Sequence, residues 1–260
     1  MLLLAVDTAT PAVTVALHDG SSVLATESQV DARRHGELLL PAVDRVLGAA
    51  GVKLDAVTDV IVGVGPGPYT GLRVGLVTAL TFGSVLGVPV RGLCTLDGLA
   101  YAASIGGGGG GGAGGGAGID GPFVVATDAR RKEVYWARYA ADGRTRLTDP
   151  AVDRPADIAE QLAGLPVVGA GGLLYPDAFP DARGPEHQSA AALAALAAEK
   201  LAEAGKLAEA GKTAEFGKSA EAGAGKSAEG ESYGFLPPVP LYLRRPDAQV
   251  PKNYKVVTPK

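Results

Sequence analysis

The chain has 260 residues, 47% of them hydrophobic, and a formal net charge of −4, enough length and apolar content for one large core or two small ones. The acidic balance excludes a protein that grips nucleic acid alone, because phosphate neutralisation needs clustered lysine and arginine. A single cysteine, Cys94, excludes an internal disulfide and a thiolate zinc cluster, fits a reducing compartment, and reads as a small buried apolar residue.

The N-terminal MLLLAVDTATP carries an apolar run too short for a secretory signal, with no basic residue ahead of it and Asp7 behind it. No segment reads as long and apolar enough to span a bilayer, so a cytoplasmic protein with no membrane contact is expected. The runs LLLAVDTA, VTVALHDG and SSVLATESQV predict a three-stranded meander. From His35 to Ala50, Leu39, Val43, Val46, Leu47 and Ala50 keep helical spacing, with Pro41 near the helix start or at a kink. DVIVGVG predicts a buried strand, the stretch from Thr70 to Leu86 a helix, and VPVRGL another strand. IGGGGGGGAGGGAG has almost no side chains to bury and predicts a flexible loop.

Beyond the loop a similar order resumes. FVVATDA and EVYWARYA predict strands, RTRLT a weak third, PADIAEQLA a helix, PVVGAGG a strand and SAAALAALAAEKLAEA a helix. The repetition predicts two related α/β lobes, one over residues 1–104 and a smaller one over 119–200, joined by the glycine-rich loop at 105–118. Over 201–235 the chain stutters through units such as LAEAGK. A glycine in each unit costs a helix about 1 kcal/mol per residue, so a solvated, partly helical insertion is expected there, followed by a tail over 236–260.

GPGPYTGLRVG, Gly65 to Gly75, has the look of a phosphate loop, but no lysine follows Gly71 and the third small residue of a dinucleotide fingerprint would fall on Thr70. Pro66 and Pro68 each remove a backbone N–H that a phosphate cradle depends on. After the loop, Gly71, Gly75, Ala79, Gly83 and Gly87 recur every four residues and form a ridge of nearly bare backbone. Something packs close to it: either this protein's own sheet or first helix, or a helix of another chain.

Asp7, Thr8 and Thr10, within DTAT, stand where actin-like kinases carry a D-x-G-[ST] phosphate loop, with Ala9 replacing the glycine that lets backbone approach a phosphate. VVGAGG, Val167 to Gly172, is either an adenosine-side glycine turn or an ordinary strand-to-helix turn. His18, His35 and His187 never fall at metal-ligand spacing, and there is no G-x-S-x-G elbow. TDARRKEVYWARY reads as a hairpin crowding Asp128, Arg130, Arg131, Lys132 and Glu133 into its turn. It is either a solvated turn or, with Tyr135, a surface for a protein partner or an RNA backbone.

LAVDTAT, HGELLLPAVDRVL, VGVGPGPYTGLRVGLVTALTFG, DARRKEVYWARY and PLYLRRPDA together resemble the bacterial TsaB family, the dimerisation subunit of the machinery that makes threonylcarbamoyladenosine in tRNA. The resemblance covers most of the chain outside the glycine run and the AEAGK-type insertion. It implies a two-lobe actin-like, RNase H-like fold and a subunit without catalytic residues or a bound cofactor of its own. ATP and threonylcarbamoyl-adenylate would then be used by a complex with a TsaD-like catalytic paralogue and a TsaE-like ATPase, with tRNA engaged through that complex. Carried onto this sequence, the partner surface is His35, Leu39, Val43 and Leu47 of the first helix, with Gly71, Arg73, Gly75, Leu76, Ala79, Leu80 and Gly83 of the second. On this reading the bare ridge makes room for a partner helix; self-association of the chain when alone is left open. The competing readings are a small-molecule kinase or ATPase of the actin-like superfamily, favoured by DTAT, and a glycoprotease-like peptidase, for which neither metal ligands nor a nucleophile is present.

Overall fold

The computed structural model describes residues 1–106, 119–215 and 234–244. The glycine run and much of the AEAGK-type insertion lie outside the described residues.

The N-terminal runs form β1 (Leu3–Asp7), β2 (Ala12–His18) and β3 (Val23–Val30). These join β4 (Asp59–Gly63) and β5 (Val90–Leu93) in one sheet of order β3-β2-β1-β4-β5. The first three strands pair antiparallel, whereas β4 lies parallel to β1 and β5 parallel to β4. Both faces of the central strands are covered, which is why β1 and β2 are buried throughout and mostly apolar instead of alternating. Leu4 and Val6 point to one face, into a core with Leu39 and Val43 of α1 (His35–Ala50) and Leu72 and Leu76 of α2 (Tyr69–Leu86). Leu3 and Ala5 point to the other, against Leu193 and the alanines of α6 (Ala190–Glu215). Each fully buried leucine of this kind stabilises the fold by roughly 2 kcal/mol. Gly51 and Gly87, at φ 67° each, take the left-handed conformation that ends α1 and α2. Pro41 sits inside α1 on its exposed side.

The second sheet repeats the first. Its strands are β6 (Phe123–Asp128), β7 (Val134–Tyr139), β8 (Ala151–Asp153), β9 (Val167–Val168) and β10 (Ala182–Arg183), in the order β10-β9-β6-β7-β8. The pairing senses match those of the first sheet strand for strand.

Several elements depart from expectation. RTRLT makes only an isolated bridge, Tyr139 to Arg146; its arginines instead turn to Glu199 and Asp97, and the third strand falls later. PADIAEQLA yields one helical turn, α4 (Pro155–Ile158), and GAGGLL supplies a short α5 (Ala170–Leu174). An unanticipated α3 (Thr95–Ser104) packs Leu96, Leu99 and Ala103 against Phe123, Val125 and Tyr139 of the second sheet. Conversely, α6 crosses back onto the first sheet, so the second lobe expected over 119–200 ends before it. The two lobes thus exchange helices. Finally, α2, with 18 residues and mean hydropathy 1.2, is long and apolar enough by length and composition to cross a membrane, contrary to the expectation that no segment is. One face of it, however, is built into the first lobe.

The last described segment straps the lobes together. Leu236 pairs with Gly92 and the Leu241 amide donates to the Val64 carbonyl oxygen at 2.8 Å. Arg244 reaches the second lobe, donating from Nη1 to the Ala129 carbonyl at 3.1 Å and pairing with Glu133.

Candidate functional site

The turn between β1 and β2 is closed by its own chain. Asp7 is fully buried and accepts hydrogen bonds from the Ala9 amide at 2.8 Å and the Thr95 hydroxyl at 2.9 Å. Burial raises its pKa to about 6 against those two hydrogen bonds. A β-carbon on Gly63 would lie 2.1 Å from Asp7 Oδ2, and one on Gly67 would lie 2.1 Å from the Ala9 carbonyl oxygen. The GPGP loop therefore sits directly on the turn. The Thr8 hydroxyl donates to the Gly71 carbonyl at 2.7 Å and accepts the Gly75 amide at 2.9 Å; that of Thr10 donates to the Gln188 amide oxygen. Asp7, Thr8 and Thr10, the residues that stand where a phosphate loop would, are all buried and hydrogen-bonded within the fold. In the same way Gly169 and Gly171 pack on the backbone of Ala126, as an ordinary strand-to-helix turn does.

The small-residue ridge also turns inward. Gly71 and Gly75 press on Thr8, and Gly83 on Val90, where a β-carbon would approach a methyl to 2.2 Å. Leu39, Val43, Leu47, Leu76 and Ala79 are buried in the first core, and the His35 ring donates from Nε2 to the Thr10 carbonyl at 2.8 Å. As a partner surface, this set is corrected: His35, Leu39, Val43, Leu47, Gly71, Gly75, Leu76, Ala79 and Gly83 face the protein's own sheet. The sheet needs close helix approach, and the bare ridge provides it.

Arg73 and Leu80 do face outward. With them on the outer side of α2 stand Tyr69, Val77 and Val85, the valines 62% and 75% exposed. Residues 69, 73, 77 and 80 follow the three-and-four spacing of a helix-packing stripe. At its N-terminal end the Arg73 guanidinium stacks 3.8 Å from the Tyr69 ring centroid and its Nε donates to the Tyr242 hydroxyl at 2.8 Å. The two tyrosine rings stack at 5.2 Å. On the neighbouring α1, Leu40 is 55% exposed. Apolar side chains left in water along one helix face mark a surface that something covers. The sequence reading missed Leu40 of α1 and also Tyr69, Val77 and Val85, although the offset of these three from the glycine ridge around α2 was available as a signal.

In the β6–β7 turn, Arg130, Arg131 and Lys132 take φ of 62°, 55° and 62°, a left-handed run costing about 1–2 kcal/mol per residue for side chains of this size. Its three basic residues are exposed. Asp128 caps the turn by accepting the Arg130 amide at 2.8 Å and pairing with its guanidinium at 3.3 Å. Glu133 is taken by Arg244. Tyr135, offered with this turn as one reading of a contact surface, is 5% exposed, and burial raises its hydroxyl pKa. Among the described residues no three His, Cys, Asp or Glu side chains gather as a metal site would require.

A family model described as TsaD, tRNA N6-adenosine threonylcarbamoyltransferase, matches residues 23–252. The tRNA threonylcarbamoyladenosine biosynthesis protein TsaB of Escherichia coli K12 is 32% identical over 186 residues, covering 68% of this chain and 74% of its own. This chain belongs to the TsaB family. An uncharacterized protein of Mycobacterium tuberculosis H37Rv is 40% identical over 250 residues, 95% of this chain and 93% of that one. Among solved structures, YeaZ from Pseudomonas aeruginosa superposes with a TM-score of 0.64 at 29% identity, over 78% of this chain and 93% of that one. The two-lobe actin-like fold expected from the sequence is the one this TsaB-family chain adopts.

Proposed function

We propose that this TsaB-family chain is the non-catalytic dimerisation subunit of tRNA threonylcarbamoyladenosine synthesis, docking a TsaD-like catalytic subunit through the outer face of α2. The observation that carries the proposal is the division of α2 into two faces. Its glycine ridge is used up against the chain's own sheet, while Val77, Leu80 and Val85 remain exposed beside the Tyr69–Arg73–Tyr242 stack. Aromatic and arginine anchors flanked by aliphatic side chains are the composition of a binding hot spot. The closed β1–β2 turn supports the view that ATP and threonylcarbamoyl-adenylate are used elsewhere in the complex. A TsaE-like ATPase and the tRNA join through that complex, the exposed basic turn at Arg130, Arg131 and Lys132 meeting the RNA. In the absence of the catalytic subunit the same apolar face pairs two copies of this chain.

The test is mixing with the TsaD-like protein from the same source, followed by size-exclusion chromatography with light scattering. A one-to-one complex that replaces any homodimer is expected; two folded proteins that elute separately would overturn the proposal.

A further inference from the structure

A cavity of about 110 Å³ lies between the lobes, lined by Pro11 of the first and by Thr127, Asp128, Leu174, Glu186 and His187 of the second. Two buried polar atoms on these residues, Thr127 Oγ1 and His187 Nδ1, have no hydrogen-bond partner among the described residues. Thr127 is only 3% exposed. A buried polar group left unpaired is costly, and nothing in the packing of the two lobes explains this pair of them on one cavity wall. The space exceeds that of a single water molecule yet falls well short of the roughly 300 Å³ at which pockets for drug-sized ligands begin. A nucleotide is too large for it; a molecule of a few heavy atoms fits.

The lining sets the ligand's chemistry. His187 Nε2 faces Glu186 Oε1 at 3.5 Å, and an imidazole with its proton on the Nε2 side presents Nδ1 as an acceptor. The Thr127 hydroxyl can also accept, and the carboxylates of Asp128, paired with Arg130, and of Glu186, beside His187, supply further acceptor oxygens. Such a wall is rich in acceptors and pairs with a hydrogen-bond donor. Pro11 and Leu174 add apolar surface to the lining. We propose that this inter-lobe cavity binds a small primary amine, its ammonium group donating to Thr127 and His187 and its short aliphatic body lying against Pro11 and Leu174.

Ethanolamine, titrated into the full chain at pH 7.5 and followed by two-dimensional amide NMR, serves as the probe, with acetate as the anion of similar size. Saturable shifts centred on Thr127, Asp128 and His187 are expected with ethanolamine and none with acetate. Thr127→Val should weaken binding about three- to tenfold, the loss of one hydrogen bond, with thermal stability unchanged or raised, since an unpaired buried hydroxyl is removed. Thr127→Ser, which keeps the hydroxyl, should bind as the natural chain does. Non-saturating shifts spread over surface carboxylates, meaning an adventitious additive only, or equal affinity in Thr127→Val, would overturn the proposal.

Discussion

The hydroxyl of Thr8 spans the Gly71 carbonyl and the Gly75 amide, the two ends of a single i→i−4 rung of α2. This contact ties the β1–β2 turn into the helix backbone, and it is possible only because Gly75 has no side chain: a β-carbon there would lie 2.6 Å from Thr8 Oγ1. Thr8→Val, which keeps the shape and removes both hydrogen bonds, should destabilise the fold by about 1–3 kcal/mol in urea unfolding, whereas Thr8→Ser should restore most of it. Gly75→Ala should cost a similar amount through overpacking. Gly75→Leu should fail to fold, so any association it loses is lost through unfolding. A stable, well-folded Gly75→Leu protein would disprove the inward placement of the ridge.

The outer face of α2 should behave in the opposite way. Val77→Asp and Leu80→Asp alter exposed positions, where substitutions usually move stability by no more than about 0.5 kcal/mol. Each should nonetheless weaken the complex with a TsaD-like partner at least tenfold, about 1.4 kcal/mol, as measured by calorimetry. Arg73→Ala, which removes the guanidinium stacked on Tyr69 and hydrogen-bonded to Tyr242, should do the same. Retained affinity in all three variants would move the interface elsewhere.

Asp7 predicts a pH dependence with a definite sign. Its folded pKa of about 6 lies above the ordinary value of 3.8 because the carboxylate is buried, so the folded state binds the proton more tightly than the unfolded chain. The resulting stabilisation is fully present below about pH 3.8 and is lost as the pH rises through about 6. Its size is up to about 3 kcal/mol. Comparing the natural chain with Asp7→Asn from pH 4 to 7 should show this slope in the former and its disappearance in the latter. Parallel profiles would mean that Asp7 ionises as freely folded as unfolded.

The basic turn of the second lobe should matter only in the presence of RNA. Arg130→Ala with Lys132→Ala changes exposed side chains and should leave stability and partner binding nearly unaltered. In filter binding of tRNA to the assembled complex, the double variant should show weaker affinity and a logarithmic salt slope reduced by about 1–2. An unchanged slope would show that the turn contacts no phosphate.

Much of the architecture was legible because its determinants are local. β-branched runs, the helical spacing of Leu39, Val43 and Val46, and the glycines that follow α1 and α2 in the left-handed conformation mark their elements in the linear text. The duplicated order of strands and helices announced two related lobes, since period and order survive without knowledge of contacts. α3 escaped because Gly98 interrupts its pattern and serves instead to admit Leu193 of α6, whose methyl a β-carbon would approach to 2.9 Å. The two-residue strand β10 is too short to carry a period, whereas β9 falls within the strand expected over PVVGAGG.

What the sequence by itself determined was therefore the class of fold, the family, and the fact that something must lie close against Gly71, Gly75, Ala79 and Gly83. Only the tertiary structure decided what that something is. Four-residue spacing records how near a neighbour comes, not which chain it belongs to, and that depends on how α2 is rolled about its axis against β1 and β4. Thr8 and Val90 sit under the glycines, so the protein's own sheet fills the groove, and Val77, Leu80 and Val85 are left facing solvent on the opposite side.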